Sequence, residues 1–240
     1  MNWQAYYPLI MLAALLSGAW ISRRYKSNLA MSASQKIWLG LCAFGGAMLA
    51  ARLPFLFPGV PGIQGQTGLL ISGKTILLGL VGGYAGVEWG KWSAGIKTKT
   101  GDAFVVPVAV SVGIGRIACF LGGCCYGVPT NMPWGVTFSN VDMAARHPTQ
   151  LYEAAFHFSM AAVCAVLFDR KIWPRQLIKF YFLSYFVFRF LTEFLRPEER
   201  IVGGITVYQW ICAAMFGVFL WLWQRDANSG DRLSHEFLSN

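Results

Sequence analysis

The chain has 240 residues and a formal net charge of +9, with 55% hydrophobic and only 13% charged residues. Because soluble domains carry roughly 25% charged residues, this composition excludes an ordinary soluble enzyme and indicates an integral membrane protein. The basic residues lie mainly in short loops beside apolar runs, which is typical of membrane orientation and argues against a nucleic-acid partner.

Seven apolar segments are predicted to be transmembrane helices. In chain order they cover residues 7–21, 37–57, 71–92, 104–122, 151–168, 177–195 and 204–223. The sequence therefore predicts an all-α integral membrane protein, a single domain over residues 1–224 built as a seven-transmembrane-helix bundle. Residues 225–240 are predicted to form a polar tail.

The charges of the loops predict how these helices are oriented. Lys and Arg residues follow the first, third, fifth and seventh segments, whereas residues 58–70 contain none and residues 123–150 contain only Arg146. By the positive-inside rule, the N-terminus lies outside and the C-terminus lies in the cytoplasm. The loop 123–150 is then on the outer face, and its length predicts that it folds over the mouth of the bundle.

Small residues recur along the third segment. Gly82, Gly86 and Gly90 are spaced by four residues, which favours close packing against another helix. Lys74 lies between Gly73 and Thr75 and resembles part of a phosphate-binding loop, but the rest of that pattern is absent, so nucleotide binding is not predicted.

Charged residues recur within or beside the apolar segments. A guanidinium stays protonated, so at membrane depth it requires a carboxylate, water or an anionic ligand, and it marks a candidate functional site. Arg189 and Glu193 share a helix face, which allows a structural ion pair. The full set is Arg52, Lys74, Glu88, Arg116, Glu153, Arg189, Glu193 and Arg196.

The arginines of this set favour an anionic ligand. Arg116, Arg189 and Arg196 outnumber the nearby carboxylates unless Glu88 and Glu153 also turn inward. Phosphate matches the geometry of a guanidinium that donates two hydrogen bonds, so the sequence predicts a phosphate-containing ligand.

A polar run lies where the outer loop meets the fifth segment. Thr149 is predicted to cap the helix, and Gln150, Tyr152 and Glu153 then lie in its first turn. Their donors and acceptors are expected to point into the mouth of the bundle. His147 precedes them, and a single histidine at this position is unremarkable when taken alone.

Three cysteines cluster at the end of the fourth segment and leave several interpretations open. Cys119 or Cys124 could act as a nucleophile near Arg116, or the thiols could only fill space. A disulfide between Cys124 and Cys125 is a third interpretation. A metal site that includes His147 matches no recognised ligand spacing, so neither a metal nor a cofactor is predicted.

Three motifs in order carry a family resemblance. The first runs from Gly115-Arg116-Ile117 through Tyr126-Gly127 to Pro133-Trp134-Gly135-Val136. The second is His147-Pro148-Thr149-Gln150-Leu151-Tyr152-Glu153, and the third is Phe188-Arg189, Glu193-Phe194 and Arg196. With these motifs the chain resembles the prolipoprotein diacylglyceryl transferase family.

The resemblance implies a multi-pass protein of the bacterial inner membrane. Such an enzyme moves a diacylglyceryl group from phosphatidylglycerol to the thiol of a lipobox cysteine in a precursor protein, without a cofactor. We predict catalytic roles for Arg116, Arg189, Glu193, Glu153, His147 and Cys124. We predict substrate-binding roles for Arg116, Arg189, Arg196, Gln150, Tyr152, Cys119, Gly123, Tyr126, Lys74 and Glu88.

The chain also departs from the family pattern. Leu77 stands where the family has a histidine, and Cys119 and Cys124 stand where it has asparagine and glutamate. A divergent transferase with another lipid or acceptor, using Cys119 or Cys124, is therefore an alternative. A transporter or scaffold without chemistry is a further alternative, although the sequence contains no internal repeat.

Overall fold

The computed structural model describes residues 6–26, 31–53 and 75–238, and within them the fold is all-helical. A single two-stranded antiparallel sheet, β1 (Val136–Thr137) and β2 (Ala145–Arg146), and two 3₁₀ turns, Glu193–Leu195 and Val202–Gly204, complete the described elements. The seven described helices are α1 (Tyr7–Lys26), α2 (Ala33–Arg52), α3 (Ile76–Ser93), α4 (Gly101–Leu121), α5 (Thr149–Asp169), α6 (Leu177–Thr192) and α7 (Val207–Leu238).

Each predicted segment corresponds to one helix, which confirms the all-α class. Residues 54–57 and 71–74 of the second and third predicted segments lie outside the described residues. By length and composition, α4, α5 and residues 207–228 of α7 are able to cross a membrane. The count of seven spans and the orientation of the termini stay predictions.

The seventh helix extends further than predicted. It continues to Leu238, so described residues of the predicted polar tail are helical. The sequence from 224 to 238 contains no proline and one glycine, so no strong helix breaker follows the apolar segment. Near the start of this polar segment, the Asp226 carboxylate accepts a hydrogen bond of 2.7 Å from Lys179 Nζ, which connects this part of α7 to α6.

The described residues divide into two compact units. The larger unit takes its residues from Met1–Asn28, Thr100–Pro197 and Ile211–Asn240, and it contains α1, α4, α5, α6 and most of α7. In it α4 contacts α1, α5 and α6, and the hydroxyl of Ser111 donates to the Ala14 carbonyl at 2.9 Å. Aromatic side chains of α6 and α7 form the core around Phe182, Phe186 and Phe219.

The smaller unit contains α2 and α3, which pack through glycine. A Cβ added at Gly86 would lie 2.1 Å from the Cys42 carbonyl oxygen, and one at Gly82 would lie 2.4 Å from the Gly46 carbonyl oxygen. Real side chains do not approach backbone so closely, so only glycine permits this contact. The prediction that the glycine spacing serves helix packing is confirmed.

The end of α4 is shaped by a glycine turn. Gly123 has a φ of +65°, its N–H donates to the Phe120 carbonyl at 3.1 Å, and the Cys124 N–H donates to the Cys119 carbonyl at 3.1 Å. These two bonds are the Schellman pattern, which reverses the chain at a helix end and favours glycine. The outer loop therefore leaves α4 with Cys124 beside Cys119.

The loop of residues 123–150 then returns along itself to α5. The Gly127 N–H donates to the His147 carbonyl at 2.8 Å, and the His147 N–H donates to the Val128 carbonyl at 3.1 Å. The Val128 N–H donates to the Leu195 carbonyl at 2.8 Å, just after α6. A Cβ at Gly127 would lie 2.5 Å from that same oxygen, so this position requires glycine. These bonds bring the ends of α4 and α6 to the start of α5.

Candidate functional site

A group of buried charges lies where these three helix ends meet. Arg116 of α4 is 3% exposed and Glu153 of α5 is 1% exposed. One carboxylate oxygen of Glu153 accepts hydrogen bonds from the guanidiniums of Arg116 and Arg196, the latter at 2.9 Å. The other oxygen accepts from the Tyr185 hydroxyl at 2.8 Å. Glu153 thus joins α4, α6 and the segment after α6.

A second ion pair of the same unit lies at the end of α6. Arg189 pairs with Glu193, four residues later, and both side chains are buried. The predicted pair is therefore formed. Glu153 and Glu193 both turn inward, and three arginines form three ion pairs with these two glutamates. We call Arg116, Glu153, Arg189, Glu193 and Arg196 the arginine cluster.

Several buried polar atoms near these helix ends have no hydrogen-bond partner within the described residues. They are Arg116 Nε, Gln150 Oε1 and His157 Nε2. Gln150 and His157 are fully buried on α5. Because buried polar groups are nearly always hydrogen-bonded, such atoms are suited to bind water or a ligand.

The start of α5 holds the turn after α4. Thr149 does not cap the helix: it is the first helical residue, Pro148 is the N-cap, and the Thr149 hydroxyl donates to the Cys125 carbonyl at 2.8 Å. The predicted cap was wrong because Pro148 takes the N-cap position and the Thr149 hydroxyl bonds to this carbonyl instead. The Gln150 side-chain amide donates to the Cys124 carbonyl at 2.5 Å.

A hydrogen-bonded chain of three aromatic side chains lies beside the start of α5. Trp134 Nε1 donates to the Tyr152 hydroxyl at 2.8 Å, and that hydroxyl shares a hydrogen bond with His147 Nδ1 at 3.1 Å. His147 is half-buried and Trp134 is exposed. These two hydrogen bonds fix the orientation of the imidazole.

The three cysteines of the turn come together. The Sγ atoms of Cys119, Cys124 and Cys125 all lie within 4.8 Å of one another, and the Cys124 thiol donates to the Cys119 carbonyl at 3.5 Å. Hydrogen bonds from the other two thiols hold the pKa of Cys125 well below its ordinary value, with further lowering by Arg116 and Arg196. Hydrogen bonds to Cys119 and Cys125 raise the pKa of Cys124. The thiolate is therefore favoured at Cys125.

The remaining predicted residues lie in different surroundings. The Tyr126 ring contacts the Phe138 ring, and Cζ of Arg146 lies over the Tyr126 ring, 5.1 Å from the ring centroid. The Gly123 carbonyl accepts from the Asn140 side chain at 3.2 Å. Glu88 belongs to α3 in the smaller unit, where it pairs with Lys91 at 2.9 Å. Lys74 lies outside the described residues.

Sequence reasoning missed three buried residues next to the arginine cluster. His157 lies one turn after Glu153, and its Nδ1 shares a hydrogen bond of 2.9 Å with the Tyr181 hydroxyl. Tyr181 and Tyr185 are both fully buried on α6. The four-residue spacing of Glu153 and His157, matched by that of Tyr181 and Tyr185, is the signal that could have identified them.

Comparison with known proteins assigns the chain to a family. The sequence model of the prolipoprotein diacylglyceryl transferase family matches residues 4–225. A phosphatidylglycerol–prolipoprotein diacylglyceryl transferase of Nitratidesulfovibrio vulgaris (strain Hildenborough) is 27% identical over 95% of this chain and 92% of its own.

Two further relatives carry the same name. The Azotobacter vinelandii protein is 28% identical over 96% of this chain and 92% of its own. The Clostridium tetani protein is 41% identical over 104 residues, 41% of each chain. The predicted resemblance is confirmed, and the chain belongs to the prolipoprotein diacylglyceryl transferase family.

Proposed function

We propose that this chain transfers a diacylglyceryl group from phosphatidylglycerol to the cysteine thiol of a lipobox in a precursor protein. In this reaction a C–S bond forms between the thiol sulfur and the terminal glycerol carbon of the lipid. The C–O bond to the phosphate breaks, and its electron pair leaves with glycerol phosphate. The thiol proton passes to a base. The reaction needs neither an oxidant nor a cofactor.

The observation that carries this proposal is the burial of Arg116 within the family's first motif. Its guanidinium meets Glu153 on one side, while its Nε atom has no hydrogen-bond partner within the described residues. A phosphate oxygen would satisfy that donor. As the C–O bond breaks, negative charge grows on the leaving phosphate, and a buried guanidinium stabilises that charge strongly.

Arg189 and Arg196 complete the proposed phosphate site. Glu153 and Glu193 hold the guanidiniums in fixed orientations before the lipid arrives. Such preorganisation lowers the cost of reorganising charge during the reaction. In this proposal the two glutamates position the arginines, and they do not accept the thiol proton.

His147 is the proposed acceptor of the thiol proton. It lies in the outer loop two residues before α5, it is half-buried, and Tyr152 orients its ring through Nδ1. An entering peptide reaches this position more readily than the fully buried His157. A positioned histidine is the commonest general base in enzymes.

The finer placement in the cell follows from the same proposal. Phosphatidylglycerol is a membrane lipid and the acceptor is a secreted precursor, so we propose a multi-pass protein of the bacterial inner membrane with its site near the outer leaflet. The apolar helices α4, α5 and α7 support the membrane placement. Seven spans, with the N-terminus outside, complete this arrangement.

The test is transfer by the purified protein. The full chain in detergent is mixed with phosphatidylglycerol labelled in its acyl chains and a lipobox peptide, and we expect the label on the peptide cysteine. A peptide with serine in place of that cysteine is the matched control and should stay unlabelled. Absence of transfer by protein that remains folded, beside an active family member, would reject the proposal.

Lipid analogues separate the standard reaction from a divergent one. Phosphatidylglycerol, phosphatidylethanolamine and cardiolipin are supplied one at a time at equal concentration, with the same peptide. We expect the highest rate with phosphatidylglycerol. A higher rate with another lipid would replace the donor in this proposal and support the divergent branch that Leu77, Cys119 and Cys124 left open.

A further inference from the structure

The last turn of α4 and the chain reversal that follows it contain three cysteines that the proposed transfer does not use. Cys119, Cys124 and Cys125 place three sulfur atoms within 4.8 Å of one another. All three are free thiols. The other three cysteines, Cys42, Cys164 and Cys212, are buried separately in helices and belong to no such group among the described residues.

The backbone builds this arrangement. The Schellman bonds at Gly123 turn the chain so that Cys124 lies over the last turn of α4, next to Cys119. Cys125 then adopts a φ of +61°, a left-handed conformation that is unfavourable for a residue other than glycine. This conformation brings the third sulfur to the first two.

The turn is held in place from α5. Thr149 donates to the carbonyl of Cys125 and Gln150 donates to the carbonyl of Cys124, at 2.8 and 2.5 Å. Both donors are buried. Residues that only fill space do not need a strained, exposed cysteine in a turn whose backbone is held by two buried side chains, whereas a ligand site needs its donor atoms fixed.

We propose that Cys119, Cys124 and Cys125 bind one thiophilic metal cation of the Zn²⁺ type. Zinc–sulfur bonds of about 2.3 Å require sulfurs about 3.8 Å apart in a tetrahedral site, so small side-chain rotations from the present arrangement are sufficient. A water molecule or another donor takes the fourth position. His147 is not a ligand, since its Nδ1 is engaged with Tyr152 and the cluster of potential ligands contains three cysteines and no histidine.

Charge balance is consistent with this cation. Three thiolates and a divalent ion carry a net charge of −1. Arg116 lies three residues before Cys119 on the same face of α4, so its positive charge is close to the proposed ligands. A guanidinium beside metal-bound thiolates offsets their negative charge.

The test measures metal binding directly and requires no transferase activity. The full chain, purified in detergent and fully reduced, is titrated with Co²⁺, which reports thiolate ligands by a charge-transfer absorption band, and the cobalt is then displaced with Zn²⁺. We expect one equivalent of Co²⁺ with that band. Cys125→Ser should weaken binding at least tenfold, and Cys119→Ser and Cys124→Ser should do the same.

Matched controls address the remaining cysteines and the folding of the variants. Cys164→Ala and Cys212→Ala should bind one equivalent with unchanged affinity. Cys125 is exposed, so its replacement by serine is the least disturbing change and decides the question. If reduced wild-type protein shows no charge-transfer band, or if Cys125→Ser binds as tightly as wild type, the metal site is rejected. Either result leaves the proposed transfer untouched.

Discussion

The larger unit buries charge at both ends of α4, and the two ends differ. At the start of the helix, the Asp102 carboxylate accepts from the Leu177 N–H at 3.0 Å, and nearby Lys179 donates to Gln176 and Asp226, each at 2.7 Å. At the other end, fourteen residues or about 21 Å along the helix, lies Arg116 with the arginine cluster. Each end joins several helices through buried ionic groups.

The two ends differ in their buried polar atoms that have no hydrogen-bond partner among the described residues. The Lys179 end joins α6 to α7 through the pair of Lys179 with Asp226, and its N-cap hydroxyl, Thr100 Oγ1, has no hydrogen-bond partner among the described residues. Near the Arg116 end, Arg116 Nε, Gln150 Oε1 and His157 Nε2 have no hydrogen-bond partner among those residues. Buried ion pairs contribute little net stability, so an end with several unused donors and acceptors, one of them on a guanidinium, is better explained by ligand binding than by folding.

Removing the central carboxylate should have the largest effect on stability. Glu153→Gln leaves Arg116 and Arg196 without the charge they share, and breaking a buried pair costs about 3–5 kcal/mol. Unfolding by sodium dodecyl sulfate in mixed micelles measures the loss. Asp226→Asn at the other end is the matched variant, with a smaller loss because its side chain is 11% exposed. Equal losses would remove the distinction between the ends.

Arg116→Lys should separate function from stability. Lysine keeps the positive charge but cannot donate the two parallel N–H hydrogen bonds of a guanidinium. We therefore expect the rate of transfer to fall about 100-fold or more, as it does when one donor to a developing anion is removed. The initial rate with labelled lipid and peptide measures it. Lys179→Arg is the control, and its rate per folded molecule should stay near wild type. A rate for Arg116→Lys within threefold of wild type would contradict the phosphate site.

His157 offers a third way to sharpen the comparison. In the double variant His157→Phe with Tyr181→Phe, both partners of one buried hydrogen bond are replaced by apolar rings of similar size. Such paired replacement is nearly neutral, so the free energy of unfolding should change by about 1 kcal/mol or less. If the free Nε2 of His157 contacts the lipid, transfer should fall at least tenfold. Unchanged transfer would make His157 a structural residue.

The helical class was predictable because the length of an apolar segment is a property of local sequence. All seven predicted segments correspond to helices, and the glycine spacing of α3 identified its packing face because close backbone approach tolerates only one residue type. The extension of α7 was missed because a polar segment does not reveal that Asp226 will find Lys179, 47 residues earlier in the chain.

The candidate site was predictable only in part. The inward direction of Arg116 and Glu153 and the Arg189–Glu193 pair followed from motif and spacing. The sharing of Glu153 by Arg116 and Arg196 did not, because it depends on contacts 37 and 43 residues apart. His157 was missed because its four-residue spacing from Glu153 becomes informative only when it is matched with the same spacing of Tyr181 and Tyr185 on α6. The three thiols lie together because the chain turns at Gly123, and composition alone does not reveal that turn.

A partly exposed ion pair, Arg146 with Asp142 in the loop of residues 123–150, provides the smallest effect and a reference for both buried ends. Hydrogen bonds from the Arg146 guanidinium hold the pKa of Asp142 below its ordinary value, with help from the Ala144 N–H. A carboxyl whose pKa is lower in the folded than in the unfolded chain stabilises the fold above the unfolded pKa of about 3.9, and that stabilisation is lost as pH falls through the folded pKa. Amide hydrogen exchange in residues 136–146 should therefore be slower in wild type than in Asp142→Asn at neutral pH, and the two should converge below about pH 4. Because exposed pairs contribute little, a difference as large as that from Glu153→Gln would show that exposure does not distinguish this pair from the arginine cluster.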